Sequence, residues 1–135
     1  AVDERHLASF SPVVVQQILK DTLGYRGVVV SDDLGMKAVS AETPLPDAAV
    51  QAVQAGGDAL LLCNSTTDEQ VEALEALIRA AESGVLTEKR LDDAMARQHD
   101  VKARMRDRAP RRPVGLDVVG AAEHQVVAAE MARWV

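Results

Sequence analysis

The chain is poor in aromatic side chains: Phe10, Tyr25 and Trp134 are all that its 135 residues hold. A core made from it must rest on Val, Leu, Ile, Ala and Met. The aromatic platforms on which single-stranded nucleic acids stack are missing. A single cysteine, Cys63, excludes an internal disulfide and is at ease in a cytoplasmic setting. Apolar runs fall far below the ~18 residues of a membrane-spanning helix, and no signal-peptide pattern is visible. The chain opens on Ala1 rather than Met, which is read as the mark of a piece of something longer. No His/Cys spacing suggests a metal site, and neither a metal nor an organic cofactor is expected. Basic residues are outnumbered, 15 Lys and Arg against 21 Asp and Glu, leaving a net charge of −6. That balance disfavours nucleic acids and anionic membranes as partners. Residues 102–112 run the other way, with six basic side chains and one Asp. They read as a solvated helix end entering a linker rather than as an anion patch.

Apolar residues make up 47% of the chain, enough for a packed core. Ser11 and Pro12 form a helix start, a hydroxyl cap followed by a proline at the first helical position. Val14, Ile18 and Leu23 lie near helical spacing, and Gly24 stops the helix. Val28–Val30 reads as a buried strand ending near Ser31. A loop with Pro44 and Pro46 near its end leads to a helix at 47–55, closed by Gly56 and Gly57. A second buried strand is expected at 59–63. Thr67 is expected to cap a helix with the stripe Val71, Leu74, Leu77, Ile78 and Ala81. Thr87 caps another, reaching about Arg106, with Leu91, Met95, Val101 and Met105 inward. Pro110 and Pro113 mark a linker over 108–120, and an amphipathic helix spans 121–135. Apolar strands alternating with helices argue for an α/β fold with a parallel sheet. Two strands do not make a stable sheet alone, so the remaining strands are expected outside this sequence.

The chemistry is concentrated in Gly27–Ser40, GVVVSDDLGMKAVS, where Asp32 and Asp33 directly follow an apolar strand. In parallel α/β folds the strand C-termini open onto the active-site face. A carboxylate there suits a nucleophile, a general base or a metal ligand. The same pair of acids also occurs in phosphoacceptor domains and metal-dependent phosphatases, or simply caps a helix or meets an arginine. The residues alone leave these readings open.

Several short motifs in combination resemble glycoside hydrolase family three, and in particular its bacterial β-N-acetylhexosaminidases. They are Ser11-Pro12, Leu23-Gly24-Tyr25-Arg26-Gly27, Ser31-Asp32-Asp33-Leu34-Gly35-Met36, and Ala55-Gly56-Gly57-Asp58 running on to Cys63. Arg90, Leu91, Asp92, Ala94 and Arg97 match a later helical element, so the resemblance covers residues 1–107. It implies a partial (β/α)8 TIM barrel, the last two strand–helix units plus C-terminal helices. Asp32 would be the nucleophile of a retaining exo-glycosidase, attacking the anomeric carbon. Ser31 and nearby backbone N–H groups are expected to donate hydrogen bonds to its ionised carboxylate. Met36 and Asp33 are candidate substrate-binding residues. Asp33, where relatives also carry Ala, is read first as a local hydrogen-bonding residue.

The partner implied is a carbohydrate, a terminal non-reducing β-linked N-acetylhexosaminide such as the N-acetylglucosamine of cell-wall muropeptides. The family's acid/base His sits in a K-H-F-P-G-H-G loop that this sequence does not contain. His6, His99 and His124 have other neighbours, and the remainder of the barrel must come from elsewhere, so the chain alone is expected to be inactive. Val119, Gly120, His124 and Ala128 resemble the opening helix of a second domain. The alternatives are a β-glucosidase-like member of the family, a non-catalytic binding or assembly module, and a phosphoacceptor domain using Mg²⁺. An unclosed sheet exposes strand edges and apolar faces. The 135-residue chain is therefore expected to self-associate or unfold broadly in isolation, and a sharp monomeric unfolding transition in analytical ultracentrifugation and urea titration would contradict this.

Overall fold

A computed structural model of the chain describes residues 2–107 and 119–134. Most of the expected linker, and the end of the basic run, fall outside the described residues. Two short strands, β1 (Val30–Asp33) and β2 (Ala59–Leu61), pair in parallel. Val30 lies beside Ala59 and Asp33 beside Leu61, so β1 gains one residue on its partner through a local irregularity. Between the strands run α1 (Lys37–Ser40) and α2 (Leu45–Ala55); after them come α3 (Thr67–Glu82) and α4 (Glu88–Arg106). A last helix, α5 (Ala122–Met131), ends in a 3-10 turn, Ala132–Trp134.

The first long helix, Val13–Thr22, is a π-helix. Its opening follows the sequence: Ser11 Oγ accepts from the N–H of Val14 at 3.2 Å, and Pro12 follows it. Its inward face does not. Val15 and Lys20 are buried, whereas Ile18 and Leu23 are exposed. In an α-helix residues five apart stand about 140° apart around the axis. The wider π turn brings Val15 and Lys20 to one side, and the N–H of Leu23 closes it on the carbonyl of Ile18 at 2.9 Å.

The core gathers around α2, whose Ala48, Ala49, Ala52 and Ala55 are almost inaccessible to solvent. Small side chains let this helix come close to its neighbours. One cluster joins Phe10, Leu34 and Val39 to Ala48, Ala49, Ala52 and Ala73. A second joins Val53, Ala80 and Leu86. Burying a side chain such as Leu34 or Leu86 stabilises by about 1.5–3 kcal/mol. Helix α2 stops at Gly56, whose φ of 115° is reserved for glycine; a Cβ on Gly57 would lie 2.8 Å from the carbonyl oxygen of Ala52.

Several expectations are corrected. The first strand is displaced toward the acids, because its ladder forms only where β2 lies beside it. Val30 is exposed, as is Leu61, since the described residues supply no second layer over that face. The second strand is shorter than expected, ending at Leu61. Helix α2 begins two residues early because Pro46, in its first turn, gives up an N–H that would have had no partner anyway. Thr66, not Thr67, caps α3: its Oγ1 accepts from the N–H of Glu69, and Glu69 Oε2 accepts from the N–H of Thr66 at 2.7 Å. The inward face of α3 is Ala73, Leu77 and Ala80, while Val71, Leu74 and Ile78 are exposed. In α4, Ala94 is buried and Met95 and Met105 are not. Helix α5 buries no residue, so the expected amphipathic packing is absent.

The N-terminal ends of the strands are tied by ionic contacts. Lys20, 1% exposed, donates from Nζ to Asp58 at 2.8 Å and to Asp93 at 3.3 Å. Arg90 also pairs with Asp58, and reaches Asp93 at 2.9 Å. Arg97 bonds Asp93 and donates to the carbonyls of Tyr25 and Gly27, each at 3.1 Å. Asp58 Oδ2 accepts from the N–H of Val29 at 2.9 Å. Removing one partner of such a cluster leaves buried charge without compensation. Asp58→Ala is expected to destabilise the chain by about 3–5 kcal/mol. Lys20→Ala should do so by less, because Asp58 keeps Arg90 and the Val29 N–H. Urea midpoints would check this, and the reverse order would refute the assignment of Asp58 as the centre of the cluster.

Candidate active site

Successive side chains of a strand point to opposite faces. On β1 the exposed positions are Val30 and Asp32, while Asp33 is 7% exposed on the other face. The two adjacent acids are thus separated by the pleat: one is offered to solvent and the other is drawn inward. Asp32 Oδ1 accepts from the N–H of Asp33 at 2.8 Å. Among the described residues Asp32 makes no ion pair. The Ser31 hydroxyl, expected to serve Asp32, instead accepts from the N–H of Leu61 at 3.0 Å and ties the two strands together.

Asp33 is held by three donors. Its Oδ1 accepts from the N–H groups of Gly35 at 3.1 Å and Cys63 at 3.0 Å, and its Oδ2 from the Asn64 side-chain amide at 3.0 Å. The Cys63 and Gly35 N–H groups hold the carboxyl below the usual carboxylate range; burial works against them and Asn64 with them. Leu34, 2% exposed, anchors the turn from below, and its N–H extends the ladder to the carbonyl of Leu61 at 3.0 Å. Met36 follows at the start of α1: its carbonyl accepts the first helical N–H bonds and its side chain is 38% exposed.

Asp32, Asp33 and Met36 therefore share one strand end and turn. A cleft of about 230 Å³ touches Asp32 and runs from Val29–Ser31 to Ala8, Ser9, Val15, Ala52 and Gly57; Asp33 and Met36 do not line it. A larger cleft, about 500 Å³, lies elsewhere, between Phe10, Gln51, Gln54, Leu86 and Arg90. It takes in His6, whose Nδ1 lies 3.0 Å from Asp3; Asp32 does not line this cleft. His99 and His124 are exposed on α4 and α5. Sequence reasoning assigned nothing to Asn64 or to Leu34. The available signal for Asn64 was its place just past the end of the second parallel strand, where site residues gather. Among the described residues no cluster of His, Cys, Asp and Glu could hold a metal ion, and no helix is long and apolar enough to cross a membrane.

A parallel β/α unit with a carboxylate at the carboxyl end of its strand fits an α/β scaffold whose sites open at that face. The sequence profile of the glycosyl hydrolase family 3 N-terminal domain matches residues 1–101. The chain belongs to glycosyl hydrolase family 3. A beta-hexosaminidase of Alkalilimnicola ehrlichii is 44% identical over 72 residues, covering 53% of this chain and 19% of that protein. A beta-hexosaminidase of Nitrosomonas eutropha is 34% identical over 100 residues, 70% of this chain and 29% of that protein. The solved structure of a glycoside hydrolase family 3 beta-N-acetylglucosaminidase from Paenibacillus sp. str. FPU-7 superposes with a TM-score of 0.77 at 34% identity. It covers 96% of this chain and 25% of that one. The chain thus spans a small part of the length of the curated relatives it matches, and its fold is part of an α/β barrel.

Because its folded pKa lies below that of an unfolded Asp, about 3.9, Asp33 contributes stability that is fully present above that value. This contribution is lost as pH falls through the folded pKa. Asp33→Asn should therefore flatten the acid side of the stability curve below about pH 4, as measured by urea midpoints from pH 7 downward. A variant curve that stays parallel to the parent's would contradict the assignment.

Proposed function

We propose that this chain carries the nucleophile of a retaining exo-glycosidase that hydrolyses terminal, non-reducing β-linked N-acetylhexosamine. N-acetylglucosamine of cell-wall muropeptides is the favoured substrate, and a cytoplasmic setting belongs to the same reading. The observation that carries it is the exposed carboxylate of Asp32 at the carboxyl end of a parallel strand, without an ion-pair partner among the described residues, beside a second acid whose oxygens are engaged. Beta-hexosaminidases among the relatives support the choice of sugar.

An Asp32 carboxylate oxygen attacks the anomeric carbon, and the bond to the leaving oxygen breaks as that oxygen takes a proton from a general acid. Water, deprotonated by the same group acting as base, then displaces the Asp32 carboxylate and retains the configuration. Asp32 can work unencumbered because Asp33, not Asp32, takes the bonds that hold the loop. Met36 lines the sugar pocket beside it. Asp33 serves this reading as a local hydrogen-bonding residue more readily than as a substrate contact. The acid/base group comes from the remaining strand–helix units of the barrel: His6 lines the other cleft and meets Asp3, and His99 and His124 are exposed on α4 and α5.

In the completed barrel, with those units joined to this chain, Asp32→Ala should lower hydrolysis of an aryl N-acetyl-β-glucosaminide by roughly 10⁴-fold or more. The covalent glycosyl-enzyme should vanish from intact-mass spectra. An unchanged rate would remove the assignment. Hydrolysis by the 135-residue chain alone would refute the external acid/base.

A further inference from the structure

Asn64 has no part in the reading above, yet it faces the carboxylate next to the nucleophile. It stands just beyond β2, on the segment that leads to α3. Its side-chain amide meets Asp33 Oδ2 at 3.0 Å, and the neighbouring Cys63 N–H meets Oδ1 at the same distance. Two bonds from one segment thus converge on a side chain of the other, across 30 and 31 positions of sequence.

We propose that Asp33 and Asn64 form a positioning pair: by clamping the segment after β2 to the end of β1, they set the direction in which the Asp32 carboxylate leaves the strand. The inference rests on the reading of Asp32 as the nucleophile. Four observations lead to it. The hydrogen bond that Asp32 accepts comes from the N–H of Asp33, so whatever fixes the Asp33 backbone fixes the donor. No charged partner among the described residues orients Asp32 from outside. The strand ladder is irregular between Val30 and Asp33, so this end of β1 rests on its few contacts with Leu61 and on the segment that follows it. Leu34 on the far side is sealed in the core, which gives the clamp a rigid floor. A nucleophile aimed in this way acts before substrate arrives, and an error of about 1 Å in such an aim lowers rates by about a hundredfold.

The pair can be exchanged. Asp33→Asn keeps an oxygen for the Gly35 and Cys63 N–H groups but turns an amide toward the Asn64 amide. Asn64→Asp sets two carboxylates face to face. The double variant restores one donor opposite one acceptor, with the roles reversed. In the completed barrel each single variant should lose roughly ten- to a hundredfold in kcat with little change in KM, and the double variant should recover most of it. Asn64→Ala, which removes one bond without repulsion, should lose less and stay folded by circular dichroism. In the 135-residue chain, hydrogen exchange followed by mass spectrometry should quicken over residues 31–36 and 61–66 in the single variants and slow again in the double. Unchanged kcat in Asp33→Asn, or losses that simply add in the double variant, would overturn the inference. Faster exchange without a fall in kcat would overturn it too, by reducing the pair to a structural tie. Failure of the nucleophile reading is separate: it would be seen as full activity in Asp32→Ala, whatever the exchange data give.

Discussion

A single carboxylate, Asp58, organises the base of this fold. It is buried at the start of β2 and accepts from Lys20 on the π-helix, from Arg90 on α4 and from the main chain of Val29 just before β1. Its own carbonyl accepts from the Gln98 side chain at 2.7 Å. Asp93 shares Lys20 and Arg90 with it and adds Arg97, so that three cations face two carboxylates in one connected set. Burying charge is unfavourable unless each ion finds partners and its hydrogen-bonding capacity is met. Here that requirement joins elements far apart in sequence at one end of the sheet. Once the strand origins are fixed there, the opposite ends are fixed in direction, and chemistry can be carried on them.

Two kinds of aspartate follow from this arrangement. Asp58 is sealed among cations at the base, where its role is architectural. Asp32, at the far end of the neighbouring strand, has neither a cation nor a covering layer among the described residues. Asp33 stands between these extremes, buried and with its charge stabilised by N–H donors rather than by a cation. One residue type thus meets three surroundings: among cations at Asp58, at an exposed strand end at Asp32, the proposed nucleophile, and among N–H donors between two loops at Asp33. The pleat of β1 separates the last two over a single peptide unit.

Much of this was legible before any coordinates. Alternating apolar strands and capped helices declared the α/β class, and the acids at the end of a valine run marked the candidate site. Burial was harder to read. Large apolar side chains such as Val71, Leu74 and Ile78 mark a helix stripe, but the face that packs in α3 is built from Ala73, Leu77 and Ala80. Alanine carries a weak hydrophobic signal and yet permits the closest approach, so periodicity found Leu77 but missed Ala73 and Ala80. Asn64 was illegible for a different reason: its meaning depends on a partner 31 positions away, and nothing local marks an asparagine after a strand as a clasp. The Thr66–Glu69 box, by contrast, was present as a local pattern and was displaced by one residue only because two threonines adjoin.

The π-helix has a consequence for how this protein can change. The Lys20 ammonium reaches Asp58 because Val15 and Lys20, five residues apart, fall on one side. Between Ser11 and Gly24 the number of residues is therefore held more tightly than their identity. Outward positions such as Gln17 and Ile18 are open to replacement, whereas gaining or losing a single residue would swing the lysine away from its acid and shear the base of the sheet. In this stretch substitution is the permitted currency of divergence, and insertion or deletion the forbidden one.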